Sequence, residues 1–397
     1  MRLQSNIWKL QVDRFLGEFW PHIAILVPYL EYLGLKATDN FMIQAAYAAS
    51  LLLCQVPTGY FSDIVGRRIS LIISACLFPI GAAFFVFSTS FWGFVTAEIF
   101  LALAVSMRSG TDSAMMYDTL LELGREKEHK KIEGRAFLYQ QIGTGSGNII
   151  GALLFEVWAK LPFLLNLFRA LLFLPLSLSL KEPAREKAEA RKPHQHLADM
   201  GKVLQHCTRH ADTRYIVLYM SLFTGFNIIG FWSYFIYYGH VGIPASLFGF
   251  VAAANSLIAG LGGMIAHKIE KKMDSRKALL LPLFMAPSYF LLGWIDSIWI
   301  VPLVTLNGFL WGFSVPIARD LLHQNTPSKI RATVMSVGEM GARLIYIVLA
   351  YPFGLLVDKM GIQTGLMMLG TLFVLGVSLP VIGLIRSGRR ASASAPA

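Results

Sequence analysis

The hydrophobic pattern of the chain consists of long apolar segments separated by short polar or glycine-containing interruptions. Most of these segments approach the roughly 20 residues that a helix needs to cross a bilayer. Helices are predicted because lipid forces each span to satisfy its own backbone hydrogen bonds, whereas a β-barrel would show short, alternating segments. The twelve predicted spans cover approximately residues 15–34, 39–61, 69–88, 91–114, 135–157, 161–180, 213–238, 246–267, 277–295, 297–319, 332–357 and 362–385.

The composition is that of a membrane protein. Of the 397 residues, 55% are hydrophobic and only 15% are charged, whereas about a quarter of the residues of a soluble domain are charged. We therefore predict an all-α membrane protein. Cys54, Cys76 and Cys207 are scattered along the chain and predict no disulfide framework.

The net charge of +11 would suit nucleic-acid binding, but its distribution favours another explanation. If both termini face the cytoplasm, most lysines and arginines lie in the cytoplasmic connections, and only Lys36, Lys160 and Lys359 lie in the outer ones. This asymmetry follows the positive-inside rule. The charge therefore predicts cytoplasmic termini and no nucleic-acid partner. No cleavable signal peptide is predicted, since the first apolar run is long enough to be a span.

A long polar stretch at residues 181–214 divides the chain into two halves of six predicted spans each. We predict an N-terminal six-helix bundle at residues 1–180, a cytoplasmic central loop at 181–213 and a C-terminal six-helix bundle at 214–397. The loop contains side chains that can bind metals, but their spacing indicates no ligand geometry, so a solvated loop is preferred and no metal site is predicted. These side chains are His194, His196, His206, Cys207 and His210.

The ends of the second and eleventh predicted spans share a pattern. They read VPTGYFSDIVG and YPFGLLVDKMG, and both contain Pro-x-Gly-x-x-x-Asp-x-x-Gly. One copy would face the cytoplasm and the other the outside, which is the arrangement that three-helix inverted repeats produce. The matching residues, at a constant offset, are Pro57, Gly59, Asp63 and Gly66 in the first copy and Pro352, Gly354, Asp358 and Gly361 in the second.

The first copy continues as GYFSDIVGRR, in which Gly59 would let another helix approach closely and Gly66 would permit a tight turn. This stretch resembles the loop between helices two and three of the major facilitator superfamily, usually Gly-x-Leu-Ala-Asp-Arg-x-Gly-Arg-Arg. The resemblance covers nearly the whole chain and implies the major facilitator fold. It also implies a cytoplasmic charge network around Asp63, thinner here because Ile64 replaces an Arg. The predicted latch residues are Gly59, Asp63, Gly66, Arg67 and Arg68; for the two arginines alone, a topology anchor is the alternative.

The fourth predicted span carries ionisable residues, which are costly in a membrane and therefore functional candidates. Glu98 and Asp112 would lie about four helical turns apart on nearly the same face, with Arg108 one turn before Asp112. Asp112 could exchange a proton beside Arg108; the alternative is a permanent ion pair. The stretch SGTDSAMMYD also resembles a subgroup of bacterial facilitators, many assigned to drug or metabolite export, which implicates Asp112 and Asp118.

Glycines recur every four residues in the fifth predicted span, at Gly143, Gly147 and Gly151. This spacing makes a smooth seam for close helix packing. The stretch GTGSGNIIGA also resembles the antiporter pattern Gly-x-x-x-Gly-Pro-x-x-Gly-Gly of the superfamily, which implies export, although Asn148 and Ala152 replace the expected Pro and Gly. Packing without directional meaning is the alternative.

Two ionisable residues of the first span, Glu18 and His22, would share a face of a continuous helix, and Arg14 could pair with Glu18. His22 could titrate near neutrality, or it could be a hydrogen-bonded structural residue. Glu18 and His22 join Asp112 and Glu98 as the proton-coupling candidates.

Polar and aromatic residues of the second half give weaker signals. Glu339 and Arg343 form an i, i+4 pair, which we interpret as a buried structural bridge rather than a moving part. An interfacial aromatic belt explains most of the run FWSYFIYY at the end of the seventh span. Phe226, Asn227 and Trp232 lie deeper and could line a cavity.

The sequence predicts a secondary transporter of the major facilitator type in the bacterial cytoplasmic (inner) membrane, monomeric and without a cofactor. Because the chain contains no nucleotide-binding loop or catalytic constellation, an ion gradient is the expected energy source, and the protein is not expected to be an enzyme. The preferred hypothesis is proton-coupled export of a small molecule. Uptake by symport or facilitated diffusion is the alternative. The expected partners are the substrate, protons and the lipid bilayer.

Overall fold

The structure, a computed structural model, describes residues 3–184, 201, 205–270, 274–327 and 330–393. His194 and His196 lie outside these residues. Within them the chain forms helices and no strand, as the sequence predicts. The helices are α1 (Ser5–Glu18), α2 (Leu26–Tyr32), α3 (Ala37–Val65), α4 (Arg67–Phe87), α5 (Phe91–Arg108), α6 (Thr111–Glu122), α7 (His129–Val157), α8 (Leu161–Leu178), α9 (Ala211–His240), α10 (Ala245–Glu270), α11 (Ser275–Ala278), α12 (Met285–Trp294), α13 (Pro302–Gln324) and α14 (Arg331–Ala393). Short 3-10 turns occur at Glu126–Glu128, Leu281–Phe284 and Ile298–Ile300.

Eight helical stretches of the described chain are long and apolar enough to cross a membrane. A ninth forms if Ala37–Gln55 and Pro57–Val65 are one span, bent by 46° beside a proline. These nine stretches are three fewer than the twelve predicted spans, each time for a physical reason. The first is divided into α1 and α2, and α7 is rich in glycine and polar residues. α14 contains two predicted spans that meet at Gly361, where the backbone is not helical.

The described residues cluster into two compact units. The first comprises Met1–Leu35, Met42–Pro193 and Pro244–Ala253, and the second comprises Lys36–Phe41, His194–Ile243 and Ala254–Ala397. Aromatic side chains fill the core of each. In the first unit, Phe78 stacks on Phe173 with ring centroids 5.0 Å apart. In the second, Phe373 contacts Phe223 and Tyr289 at 5.8 and 6.0 Å.

The first predicted span is interrupted, which corrects the expectation of one continuous helix. α1 ends at Glu18, turns follow, and α2 begins at Leu26. Pro21 lies in the interruption, where its missing N–H and its ring oppose a continuous helix. Glu18 therefore ends a helix, whereas His22 lies in the non-helical segment, and the predicted shared helical face does not form.

The fourth predicted span is also interrupted. α5 ends at Arg108, and α6 begins at Thr111 after Gly110, whose φ of +75° suits glycine. Glu98 lies on α5 and Asp112 on α6, so the prediction that they share one face of a single helix is wrong.

The two copies of the repeated pattern share one backbone feature and differ in packing. Gly66 and Gly361 both have positive φ, +131° and +83°, so each permits the turn that the sequence predicts. A Cβ at Gly354 would lie 2.6 Å from the Thr38 Cα, so a neighbouring backbone fits closely there. At Gly59, in contrast, an added Cβ meets no described atom within 4 Å. The close helix approach predicted at Gly59 is therefore absent among the described atoms, and a close approach occurs instead at Gly354 of the second copy.

Candidate functional site

A cluster of charged side chains lies where α1 meets α6 and α7 in the first unit. We call Asp13, Arg14, Arg108, Asp112 and Glu133 the charge cluster. Arg108 donates from Nε and Nη2 to the Asp13 Oδ2, at 2.9 and 2.7 Å. Arg14 contacts Asp112 through Nε at 2.9 Å and Glu133 through Nη2 at 3.0 Å. Buried charges need such partners, and here three carboxylates share two guanidinium groups.

The surroundings of Asp112 favour the permanent ion pair over a proton carrier. Besides Arg14, Arg108 lies 3.7 Å away, and the N–H of Ser113 donates to the same carboxylate. Gly17 makes room for this arrangement, because a Cβ there would lie 1.9 Å from the Arg108 Nη1. Arg14 pairs with Asp112 and Glu133, so the predicted pair between Arg14 and Glu18 is wrong.

Glu98 is as buried as Asp112 but has a different partner. Each residue is 5% exposed. The Gln44 Nε2 donates to Glu98 at 2.8 Å, and no ion pair to Glu98 occurs among the described residues. A charged carboxylate here would have only a neutral amide for compensation, and a membrane makes such a charge costly.

His22 and Arg169 lie beside the interruption of the first span. The His22 ring packs against Phe85 and Phe163 at 5.1 and 5.6 Å, and its Nδ1 has no hydrogen-bond partner within the described chain. Arg169 is 2% exposed, stacks over the Trp20 ring at 4.1 Å and donates to the backbone oxygen of Leu16 at 2.7 Å. This geometry makes His22 an aromatic-packed residue.

The glycine seam of α7 packs against the end of α1 and the interruption that follows it. A Cβ at Gly143 would lie 2.5 Å from the Phe15 backbone oxygen. At Gly151 it would lie only 1.6 Å from the Pro21 backbone oxygen. The structure therefore supports close packing at the seam, with the backbone of another segment as the partner.

The arginines after Gly66 are held within the first unit. The Glu182 carboxylate accepts hydrogen bonds from the backbone N–H groups of Arg67 and Arg68, at 2.9 and 2.7 Å, at the N-terminus of α4. The Arg67 side chain also contacts Asp118 at 3.1 Å. These contacts connect Asp118 to the predicted latch, while Asp63 is exposed.

A cavity of about 400 Å³ lies in the second unit, between α9, α13 and α14. Glu339 and Arg343, the predicted i, i+4 pair, both line it. The wall also includes Tyr219, Phe223, Thr224, Trp311, Ser314 and Arg319.

Three predicted cavity residues, Phe226, Asn227 and Trp232, lie outside this wall. Phe226 packs against Phe373 at 6.2 Å, and Trp232 packs against Phe231 at 5.1 Å. Phe226 and Trp232 are buried and Asn227 is half-buried. They lie on α9, which contributes to the wall of this cavity, but they do not line it themselves.

A hydrogen-bonded network in the core of the second unit was not predicted. The Asn307 Nδ2 donates to the Tyr234 hydroxyl at 2.8 Å, which donates to the Tyr289 hydroxyl at 3.1 Å. Ser288 donates to the Asn307 side-chain oxygen. Each group has a partner, as buried polar groups require.

The described part of the central loop offers no metal centre. No group of three or more His, Cys, Asp or Glu residues capable of holding a metal occurs in the described chain. His206 and His210 stack with ring centroids 4.1 Å apart. Burial and the neighbouring His210 lower the pKa of His206.

A sequence model described as Major Facilitator Superfamily matches residues 15–345, which is most of the chain. The chain belongs to this superfamily. The predicted family is confirmed, and with it a multi-pass membrane transporter. No curated protein sequence matches the chain.

Solved structures of superfamily transporters share the fold. The nucleoside transporter NupG is 11% identical with a TM-score of 0.81, covering 96% of this chain and 99% of its own. A POT family transporter bound to a thioalcohol-conjugated peptide is 16% identical with a TM-score of 0.72, covering 98% and 96%. A D-xylose-proton symporter is 17% identical with a TM-score of 0.67, covering 95% of each chain.

Proposed function

We propose that this major facilitator exchanges protons for a small molecule by alternating access and exports that molecule across the bacterial cytoplasmic membrane. In this proposal the chain is a monomer with twelve spans and cytoplasmic termini. The distribution of lysine and arginine supports the orientation. The twelve spans comprise the nine stretches described above, α7, the interrupted α1–α2 pair and the division of α14 at Gly361.

The observation that carries the proposal is the contrast between Glu98 and Asp112. Asp112 contacts two arginines, which favour its permanent charge, whereas Glu98 is equally buried and has Gln44 as its hydrogen-bond partner among the described residues. A carboxyl group that gains and loses a proton during transport needs no resident cation. We therefore assign the proton-carrying role to Glu98 and a structural role to Asp112.

The cavity of the second unit supports binding of a small molecule. Its volume of about 400 Å³ falls in the range of ligand pockets. The wall combines apolar surface from Phe223 and Trp311 with the charges of Glu339 and Arg319. This mixture suits an amphipathic substrate that carries a charged or polar group.

Export is proposed from the resemblance of the α7 glycines to the antiporter pattern. Uptake by symport or facilitated diffusion is the second candidate, because the packing of Gly143 and Gly151 against backbone oxygens accounts for these glycines without any direction. Transport in the presence of an imposed proton gradient separates the two candidates.

The test uses proteoliposomes and a panel of labelled compounds, namely a nucleoside, a dipeptide, D-xylose and the amphipathic dye ethidium. Antiport predicts that one of these compounds moves across the membrane in the direction opposite to the proton flow. Glu98→Gln is expected to lose this gradient-driven movement and to retain counterflow exchange, because it removes the proton carrier and keeps the size of the side chain.

Glu126→Gln is the control, since Glu126 is exposed and its side chain has no hydrogen bond or ion pair in the described chain. Asp112→Asn should instead destabilise the protein by about 3–5 kcal/mol, because it leaves two guanidinium groups underpaired. Gradient-driven movement by Glu98→Gln at the wild-type rate would refute the assignment. Movement of the compound in the same direction as the protons would identify a symporter.

A further inference from the structure

A second cavity of the second unit, of about 790 Å³, lies where α9 begins and α14 ends. Its wall comes from the first turns of α9, the connection before it and the last turns of α14. Because these are the ends of long apolar helices, the cavity lies at a boundary of the membrane. It shares no wall residue with the cavity assigned to the substrate.

One part of this wall is strongly basic. Arg209, Arg214 and Arg386 line it. Arg209 and Arg386 are exposed, and neither side chain has a hydrogen bond or ion pair with another described residue. Arg214 donates to the backbone oxygen of Thr208 at 3.0 Å, which leaves its other N–H groups available.

The acidic group in the wall does not neutralise these arginines. Asp212 accepts a hydrogen bond from the Arg276 Nη2 at 2.8 Å and another from the Ser387 hydroxyl. Its charge is therefore compensated by Arg276, which lies outside the wall. The remaining wall carries an excess of positive charge and guanidinium donors.

Another part of the wall is apolar and exposed. Leu218, Leu379 and Ile382 are 41%, 68% and 42% exposed. On spans of a membrane protein, exposed side chains of this type lie against acyl chains. The cavity thus joins guanidinium groups at the membrane boundary to an apolar surface directed into the bilayer.

We propose that this cavity binds an anionic phospholipid, with its phosphate at Arg209, Arg214 and Arg386 and an acyl chain along Leu218 and Leu379. Guanidinium groups match phosphate oxygens in geometry and charge. Basic pockets between spans at a membrane face suit such headgroups. The volume suits a headgroup with part of a chain better than a single ion. This inference is independent of the transported substrate.

The test is native mass spectrometry of the delipidated protein with phosphatidylglycerol, phosphatidylcholine, diacylglycerol or inorganic phosphate. Phosphatidylglycerol should bind most tightly, and inorganic phosphate should not displace it. The triple variant Arg209→Gln, Arg214→Gln, Arg386→Gln should weaken this binding on the order of a hundredfold, since each surface arginine contributes about one kcal/mol. The matched control Lys127→Gln, Lys130→Gln, Lys131→Gln removes three cations outside the cavity and should change binding little.

A second variant keeps every charge and fills the space. Leu379→Trp should reduce phosphatidylglycerol binding through steric exclusion alone, which separates loss of the site from poor folding of the triple variant. The proposal would be overturned if the triple arginine variant and the triple lysine control weakened phosphatidylglycerol binding equally. Equal binding of phosphatidylcholine, or displacement of phosphatidylglycerol by inorganic phosphate, would overturn it as well.

Discussion

Single residues of the first unit show how the partner of a buried group decides its role. Asp112 and Glu98 have the same exposure, yet one lies between two guanidinium groups and the other against an amide. Arg169 follows the same rule, because the ring of Trp20 and a backbone oxygen hold its charge. Residue type and burial alone would therefore not distinguish these two carboxyl groups.

The glycines of α7 give the sharpest test at this scale. Gly151→Ala should place a methyl group on the Pro21 backbone oxygen and lower the stability by about 1–3 kcal/mol, the usual effect of overpacking. In contrast, Gly145→Ala on the same helix meets no described atom within 4 Å. It should be neutral or raise stability by about 0.5–1 kcal/mol, because Ala favours the helix. Thermal unfolding midpoints of the purified proteins measure both effects, and equal midpoints would contradict the packing described here.

The sequence identified ionisable residues but could not assign their partners. Glu98 and Gln44 lie on different helices, as do Asp112 and Arg14, so each pairing depends on tertiary packing. Arg169 was missed although a signal existed, since a lone arginine in an apolar segment is a functional candidate in itself.

At the scale of helices, the apolar pattern predicted where spans lie and not where they break. The pattern continues through residues 19–25, so one span was predicted, but Pro21 ends α1 early. Gly110 divides the fourth span in a similar way. Both interruptions contain a residue that disfavours helix, and hydrophobicity averaged over a whole span conceals such residues.

The start of α3 offers a test of a helix terminus. The Asp358 carboxylate accepts hydrogen bonds from the N–H groups of Ala37 and Thr38, at 3.0 and 3.1 Å, and from the Thr38 hydroxyl. These N–H groups have no partner within their helix, and a negative charge there is favourable. Asp358→Ala should therefore lower stability by about 0.5–2 kcal/mol.

The measurement is the unfolding midpoint in detergent, with Glu126→Ala as the matched loss of an unpartnered carboxylate. Asp358→Asn retains an acceptor oxygen, so its unfolding midpoint should fall less than that of Asp358→Ala. If Asp358→Ala unfolds at the same midpoint as Glu126→Ala, the capping contact contributes nothing measurable.

For the whole molecule, the constraint that lipid places on the backbone made an all-helical membrane protein predictable from hydrophobicity, while the resemblance of GYFSDIVGRR predicted the superfamily. The repeated turn glycines, Gly66 and Gly361, were predictable because a tight turn with positive φ favours glycine. The wall of the cavity that Tyr219 and Phe223 line could not be predicted in this way. α9 is apolar around its circumference, so nothing in its pattern marks the part of the helix that carries Tyr219 and Phe223 as a cavity wall.

α7 provides the decisive test of the twelve-span topology, since this glycine-rich and polar helix is not among the stretches that are apolar enough to cross a membrane. Its 29 residues would extend about 44 Å, enough to cross a bilayer. We expect Lys160→Cys, after α7, to react with an impermeant maleimide in intact cells, and Lys127→Cys, before α7, to react only after permeabilisation. Cys54, Cys76 and Cys207 are replaced by alanine in both variants. Reaction of both from one side would mean that α7 does not cross, and the reverse pattern would place the basic connections outside, against the charge distribution.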